Sequence, residues 1–140
     1  KINKIILDQS LENFYGNDIS KKKSYDIKDF DLSFVRGLSL EDGAATLTEF
    51  TAEILSKHKI GQKIYICGGG RKNSFLLDRI KKKINSEIEL IDDLEIDGDF
   101  IESQAFAYLA IRSYLGYPIS FPDTTGVTKA STGGILVKVK

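Results

Sequence analysis

A chain of 140 residues with 41% apolar content is the size and make-up of one compact domain around a single core. Twenty basic side chains balance twenty acidic ones, so no net field draws the chain to nucleic acid or to an anionic membrane; small polar partners are expected instead. Apolar runs such as Ala105 to Ile111 fall far short of the roughly 20 residues a membrane span requires, and the N-terminus lacks the basic-then-apolar plan of a signal peptide, which points to the cytoplasm.

Cys67 is the single cysteine, which excludes an internal disulfide and a cysteine-rich zinc site and suits a reducing compartment. There is no methionine, even at position 1, and the chain is read as a fragment of a longer reading frame.

From Lys1 to Tyr15, Ile2, Ile5 and Ile6 fit a strand or a helix turn, and Asp8 is placed to cap a short helix running to Tyr15. Residues 16–33 are polar and lysine-rich, with Lys21, Lys22 and Lys23 in a row, and read as a long loop at the edge of a site. Ser39, with Asp42 three residues on, resembles a capping box. The helix it opens carries a stripe of Leu40, Ala44, Leu47, Thr51, Ile54 and Leu55, and it ends near His58 or Lys59, before Gly61.

Lys63 to Cys67 reads as a buried strand, and Asn73 as the cap of a helix whose inner face holds Leu76, Leu77, Ile80 and Ile84. Glu87 to Ile91 makes the next strand, and the interval has the proportions of a right-handed parallel βαβ unit. After an acidic turn at Asp92 to Asp99, a helix apolar over most of its circumference runs from about Phe100 to Leu115, closed by Gly116 and Pro118. It reads as a central helix. The rest, rich in threonine, glycine and serine, ends in an alternating strand from Ile135 to Val139.

Gly68, Gly69 and Gly70 sit between the first strand and the Asn73 helix. Three glycines remove every Cβ from the turn and point backbone N–H groups, reinforced by a helix dipole, at whatever lies there. Phosphates or the edge of a nucleoside are natural occupants, and a tight structural turn is the plain alternative. Gly68 and Gly70 also nearly spell the dinucleotide fingerprint, with Asp92 where a ribose-binding carboxylate belongs. That leaves open a Rossmann-type domain for NAD or S-adenosylmethionine, although Asn73 stands where the fingerprint has glycine or alanine. The Walker lysine and hydroxyl pair is missing, which excludes a P-loop.

ICGGGRKNSFL at 66–76, DGDFIESQAFAYLAIR at 97–112 and FPDTTGV at 121–127 together resemble the anhydro-N-acetylmuramic acid kinase family, with LEDGAATLTEFTAEIL at 40–55 similar to its helix with an Ala-Thr-Leu-Thr core. The resemblance implies an actin-like (ribonuclease H-like), hexokinase-like ATPase fold of two lobes. Residues 1–140 would form one C-terminal lobe, an α/β unit with a mixed sheet flanked by helices.

Gly68, Gly69 and Gly70 would then approach the nucleoside and phosphates of ATP, with Asn73 assisting at the helix start. In the family the γ-phosphoryl group passes to the 6-oxygen of 1,6-anhydro-N-acetylmuramic acid as the anhydro ring opens, in bacterial cell-wall recycling. Phosphoryl transfer of this kind uses Mg²⁺ and a base that activates the attacking water. The resemblance places the phosphate loop and catalytic aspartate in the N-terminal half, so no catalytic residue is expected here and the isolated chain is expected to be inactive.

Glu102 has two readings. A carboxylate in a first helical turn favours the dipole, and the family has a glutamate here near the sugar cleft, where it would meet substrate hydroxyls. Gln104 reads as a packing amide, Cys67 as a small buried residue, His58 as an exposed answer to a helix dipole, and Lys81 to Lys83 as a solvated, dipole-matched face. Asp123 to Gly126 only superficially resembles a phosphate loop. Lys23, Ser24, Tyr25, Asp26, Ile27 and Lys28 depart from a Lys-Ser-Thr-Gly-Arg-Glu-like stretch common in the family, which admits a diverged or remnant, non-enzymatic nucleotide-binding module. A lobe apart from its mate would expose an apolar face able to form a homodimer.

Overall fold

The computed structural model describes residues 1–16, 25–57 and 61–137. They form helices α1 (Lys4–Gly16), α2 (Leu40–Ser56), α3 (Ser74–Lys83), α4 (Ile101–Tyr114) and the single-turn α5 (Pro122–Thr125), with strands β1 (Lys63–Ile66) and β2 (Glu87–Leu90). The architecture is mixed α/β. The strands pair in parallel, from Lys63 opposite Glu87 to Ile66 opposite Leu90, with α3 between them in sequence, as the βαβ reading expects.

Helix α1 starts earlier than Asp8. Asn3 caps it, its Oδ1 accepting the Ile6 N–H at 3.2 Å, and its own N–H donates to Thr46 Oγ1 at 3.0 Å, which ties the helix start to α2. Between the two helices lies an aromatic core. Phe14 stacks on Phe30 at 5.7 Å and meets Phe50 edge-on at 5.9 Å, while Phe34 lies 5.0 Å from Phe50. Leu7 and Ile54 complete the buried cluster, and Ile2, Leu11, Tyr25 and Leu47 pack against it. The described end of the polar loop is therefore anchored by its aromatics, and short 3-10 turns at Ile27–Asp29 and Ser33–Val35 carry it to α2. Its lysine run and Ser24 lie outside the described residues, as does His58.

Ser39 caps α2 as expected, accepting the Asp42 N–H at 3.1 Å. The buried face differs from the predicted stripe: Leu40 is 85% exposed, and Gly43, Thr46, Glu49, Phe50, Ala52 and Ile54 are buried. A purely apolar template passes over Thr46 and Glu49 because both are buried through partners. Thr46 Oγ1 donates to the Asp42 carbonyl at 2.7 Å. Glu49 is gripped by Arg79 of α3, whose Nη2 lies 2.7 Å from Oε1 and whose Nε bonds Oε2, and by Lys83 Nζ at 2.8 Å. Lys83 also bonds Glu53, so this lysine is an inter-helix contact, and only Lys81 and Lys82 keep the solvated role. The Arg79 hydrogen bond holds the Glu49 carboxyl below its ordinary value.

Three further expectations are corrected. Strand β1 has only β2 beside it among the described residues, so Tyr65 is exposed and Ile64 and Ile66 are half-buried where a buried strand was expected. Residues 135–137 form no strand, since no neighbour offers a ladder. The nearest pairing is a lone antiparallel bridge between Ser120 and Ser131, and residues 138–140 lie outside the described set. Helix α4 has the expected bounds, with Gly116 at φ 75° ending it, yet none of its residues is buried. Phe106, Ile111 and Tyr114 stand 60–74% exposed, and Gln104 packs against nothing that buries it.

Candidate functional site

Strand β1 delivers the chain to Gly68, whose φ of 73° and ψ of −176° suit glycine alone. Cys67, just before it, is exposed, because the strand end has no cover. Gly69 to Lys72 wind one 3-10 turn, and α3 begins at Ser74, directly after Asn73, as the sequence predicts. Asn73 is the cap, its Oδ1 accepting the Leu76 N–H at 3.1 Å. That oxygen is committed, which leaves the Asn73 amide N–H groups to offer a ligand.

The backbone bonds of the turn are accounted for one by one. Gly68 N–H donates to Gly98 O at 2.9 Å, Arg71 N–H to Gly68 O at 3.2 Å, and Asn73 N–H to Gly70 O at 3.1 Å. The N–H groups of Gly69 and Gly70, first in the 3-10 turn, reach no carbonyl among the described residues. Both glycines are exposed, and a Cβ built on Gly69 would meet nothing within 4 Å. The turn is thus an open backbone surface with two donors to spare, a fit for phosphate oxygens or the edge of a nucleoside.

Arg71 is the residue that sequence reasoning missed. Its side chain is only 7% exposed. Nε donates to Asp92 Oδ2 at 2.7 Å and Nη2 to Asp92 Oδ1 at 3.1 Å, while Nη1 donates to Asp99 Oδ1 at 2.6 Å and to Gly68 O at 3.0 Å. Lys72 Nζ takes the other Asp99 oxygen at 2.6 Å. Hydrogen bonds from Arg71 and then Lys72 hold the Asp99 carboxyl down to about 2, and Arg71 lowers Asp92 likewise. The available signal was charge complementarity between Arg71-Lys72 and the acidic turn, but spacings of 21 and 28 residues match no local template.

This fork also bears on the dinucleotide alternative, because both oxygens of Asp92 are engaged by a guanidinium. Glu102 lies exposed in the first turn of α4, four residues after Gly98, so the Gly68–Gly98 hydrogen bond brings its helix start beside the glycine turn. The short α5 takes up Asp123 to Thr125, with Thr124 and Thr125 N–H groups donating to Phe121 O, which leaves no open phosphate loop there. Among the described residues no group of three or more histidine, cysteine, aspartate or glutamate side chains could hold a metal ion, and no helix is long and apolar enough to cross a membrane.

Taken together, these features define an α/β chain that offers unpaired backbone donors where a strand passes through glycines towards a helix. The family described as anhydro-N-acetylmuramic acid kinase matches residues 3–138, and the chain belongs to that family. It is 52% identical to the anhydro-N-acetylmuramic acid kinase of Pelagibacter ubique over 99% of this chain and 40% of that protein. Against those of Zymomonas mobilis and Caulobacter vibrioides it is 43% and 39% identical, over 80% and 98% of this chain and 32% and 38% of theirs. The chain spans about a third to two fifths of the length of the curated relatives it matches.

Proposed function

We propose that this chain is the ATP-holding C-terminal lobe of a bacterial cytoplasmic kinase acting on 1,6-anhydro-N-acetylmuramic acid. The observation that carries the reading is the open pair of N–H groups at Gly69 and Gly70. In a member of this kinase family, ATP is the natural occupant. Gly68, Gly69 and Gly70 approach the nucleotide, Asn73 donates from its side-chain amide, and Glu102, at the start of the neighbouring helix, accepts from sugar hydroxyls.

In the reaction, water adds to the anomeric carbon as the bond from that carbon to the bridging 6-oxygen breaks. The freed 6-oxygen takes the γ-phosphoryl group and ADP leaves, which gives N-acetylmuramic acid 6-phosphate. The base that receives the proton of water belongs to a second, N-terminal lobe. Asp92 and Asp99 are ion-paired with Arg71. The part assigned to this chain is to hold and orient ATP, and alone it turns over no sugar. The exposed apolar face of α4 is where a second lobe, or a second copy, would pack.

The test is ATP-dependent phosphorylation of the anhydro-sugar by the complete protein, followed by mass spectrometry, with Gly69→Val as the probe. Gly69 has open space around its would-be Cβ and no positive φ, so the valine should leave stability within about 0.5 kcal/mol. It should nevertheless raise KM for ATP at least about tenfold, by occupying the ligand's approach. Absence of phosphorylated sugar, or an unchanged KM for ATP in Gly69→Val, overturns the reading.

A further inference from the structure

Gly98 is almost enclosed, yet its backbone is not in the left-handed region, so no conformational demand requires glycine there. What excludes a side chain is Arg71. A Cβ at position 98 would lie 2.6 Å from Arg71 Nε and 2.9 Å from its Cδ and Cζ. The guanidinium therefore lies flat over Gly98 while its edges reach Asp92, Asp99 and Gly68 O, and Gly98 O receives the Gly68 N–H underneath. Two loops from different parts of the chain are clamped together by one side chain.

We propose that Arg71 is a positioning residue for the nucleotide: it locks the glycine turn to the 92–99 loop through Gly98, so that the turn and the start of α4 move as one body. The proposal rests on the reading of Gly68 to Gly70 as the ATP site. Its physical basis is the planar fork of arginine, which saturates two carboxylates and a carbonyl at once; lysine keeps the charge but cannot make that set of bonds. With the fork lost, Gly68 N–H and O lose a rigid frame, and the open donors of Gly69 and Gly70 no longer stay aimed. Because Glu102 stands on the far side of the same clamp, loosening it also shifts the sugar-facing helix start.

Two variants in the complete protein test this, Arg71→Lys and Gly98→Ala, with the double variant Arg71→Ala/Gly98→Ala to close the cycle and Arg71→Ala as its reference. Arg71→Lys should raise KM for ATP by about tenfold, a larger factor than the fall in kcat. A merely structural role would instead lower kcat in proportion to the folded fraction and leave KM alone. Gly98→Ala should show the same KM signature, since its methyl displaces the guanidinium. In the Arg71→Ala background, where the colliding side chain is gone, Gly98→Ala should add less than about twofold, a non-additivity expected of groups in contact and not of independent sites.

Hydrogen exchange at the Gly68 amide without nucleotide should be fast in Arg71→Lys, Arg71→Ala and Gly98→Ala and slow in the parent protein, which reads the clamp whether or not ATP binds. KM for ATP within about twofold of the parent in Arg71→Lys, or fully additive effects of Arg71→Ala and Gly98→Ala, overturns the positioning role. A parent protein with no ATP dependence but with the expected Gly68 exchange pattern sinks the nucleotide reading and the effect on KM, and supports the clamp itself.

Discussion

Helices α1 and α2 and helix α4 are built from similarly apolar sequence, and they end in opposite situations. The first two close around Phe14, Phe50 and Ile54, and the buried carboxylate of Glu49 has cations from α3 on it. Helix α4 carries Phe106, Tyr108, Ile111 and Tyr114 and buries none of them. Hydrophobicity decides what must be covered, and topology decides whether the chain supplies the cover. The first region completes its own core, whereas the second holds apolar surface in reserve and is tied to the rest through the Arg71 clamp.

The contrast breaks most readily at Phe50. This ring is 4% exposed and meets Phe14 and Phe34, so Phe50→Ala should cost about 3–5 kcal/mol in a urea melt through lost burial and an unfilled cavity. If it costs no more than an exposed substitution, the core assignment is wrong. Next in size is Glu49→Gln, which leaves Arg79 and Lys83 facing a neutral amide. Because both cations are partly exposed, screening limits the expected loss to about 2 kcal/mol.

That same carboxyl sets a pH dependence. Its folded value lies below its ordinary 4.5, so its stabilisation is in full force above the unfolded value and fades as pH falls through the folded one. Melts of the parent protein should weaken more between pH 5 and about pH 3 than those of Glu49→Gln; parallel curves would show that the ion pairs contribute nothing net.

Local features were legible in the sequence because local chemistry dictates them. The Ser39 and Asn73 caps and the end of α4 at Gly116 follow from residues within a few positions of one another, and the parallel βαβ unit from the proportions of its strand–helix–strand interval. Long-range pairing of side chains was not legible. The buried face of α2 was misjudged because Thr46 and Glu49 enter the core only through partners on other turns or helices, and periodicity scores a buried carboxylate as surface. The same blindness concealed Arg71, which reads as an ordinary polar residue after a glycine turn until Asp92 and Asp99 are folded against it. Strand 135–139 was read from its alternation and the central placing of α4 from apolar content; both state a need for cover and say nothing of its source.

The smallest expected effect sharpens the comparison from the exposed side. Tyr114 is 74% exposed near the end of α4, and removal of its ring takes away no buried contact, so Tyr114→Ser should change the stability of this chain by no more than about 0.5 kcal/mol. The same change shrinks an apolar patch that also includes Phe106 and Ile111, so it should reduce binding of a hydrophobic dye and any self-association seen by sedimentation. A loss of stability comparable with that of Phe50→Ala would mean that α4 has cover within this chain and that the two regions share one core. Unchanged stability with weaker dye binding would place α4 where its exposure puts it, as a surface whose partner lies beyond the aromatic core.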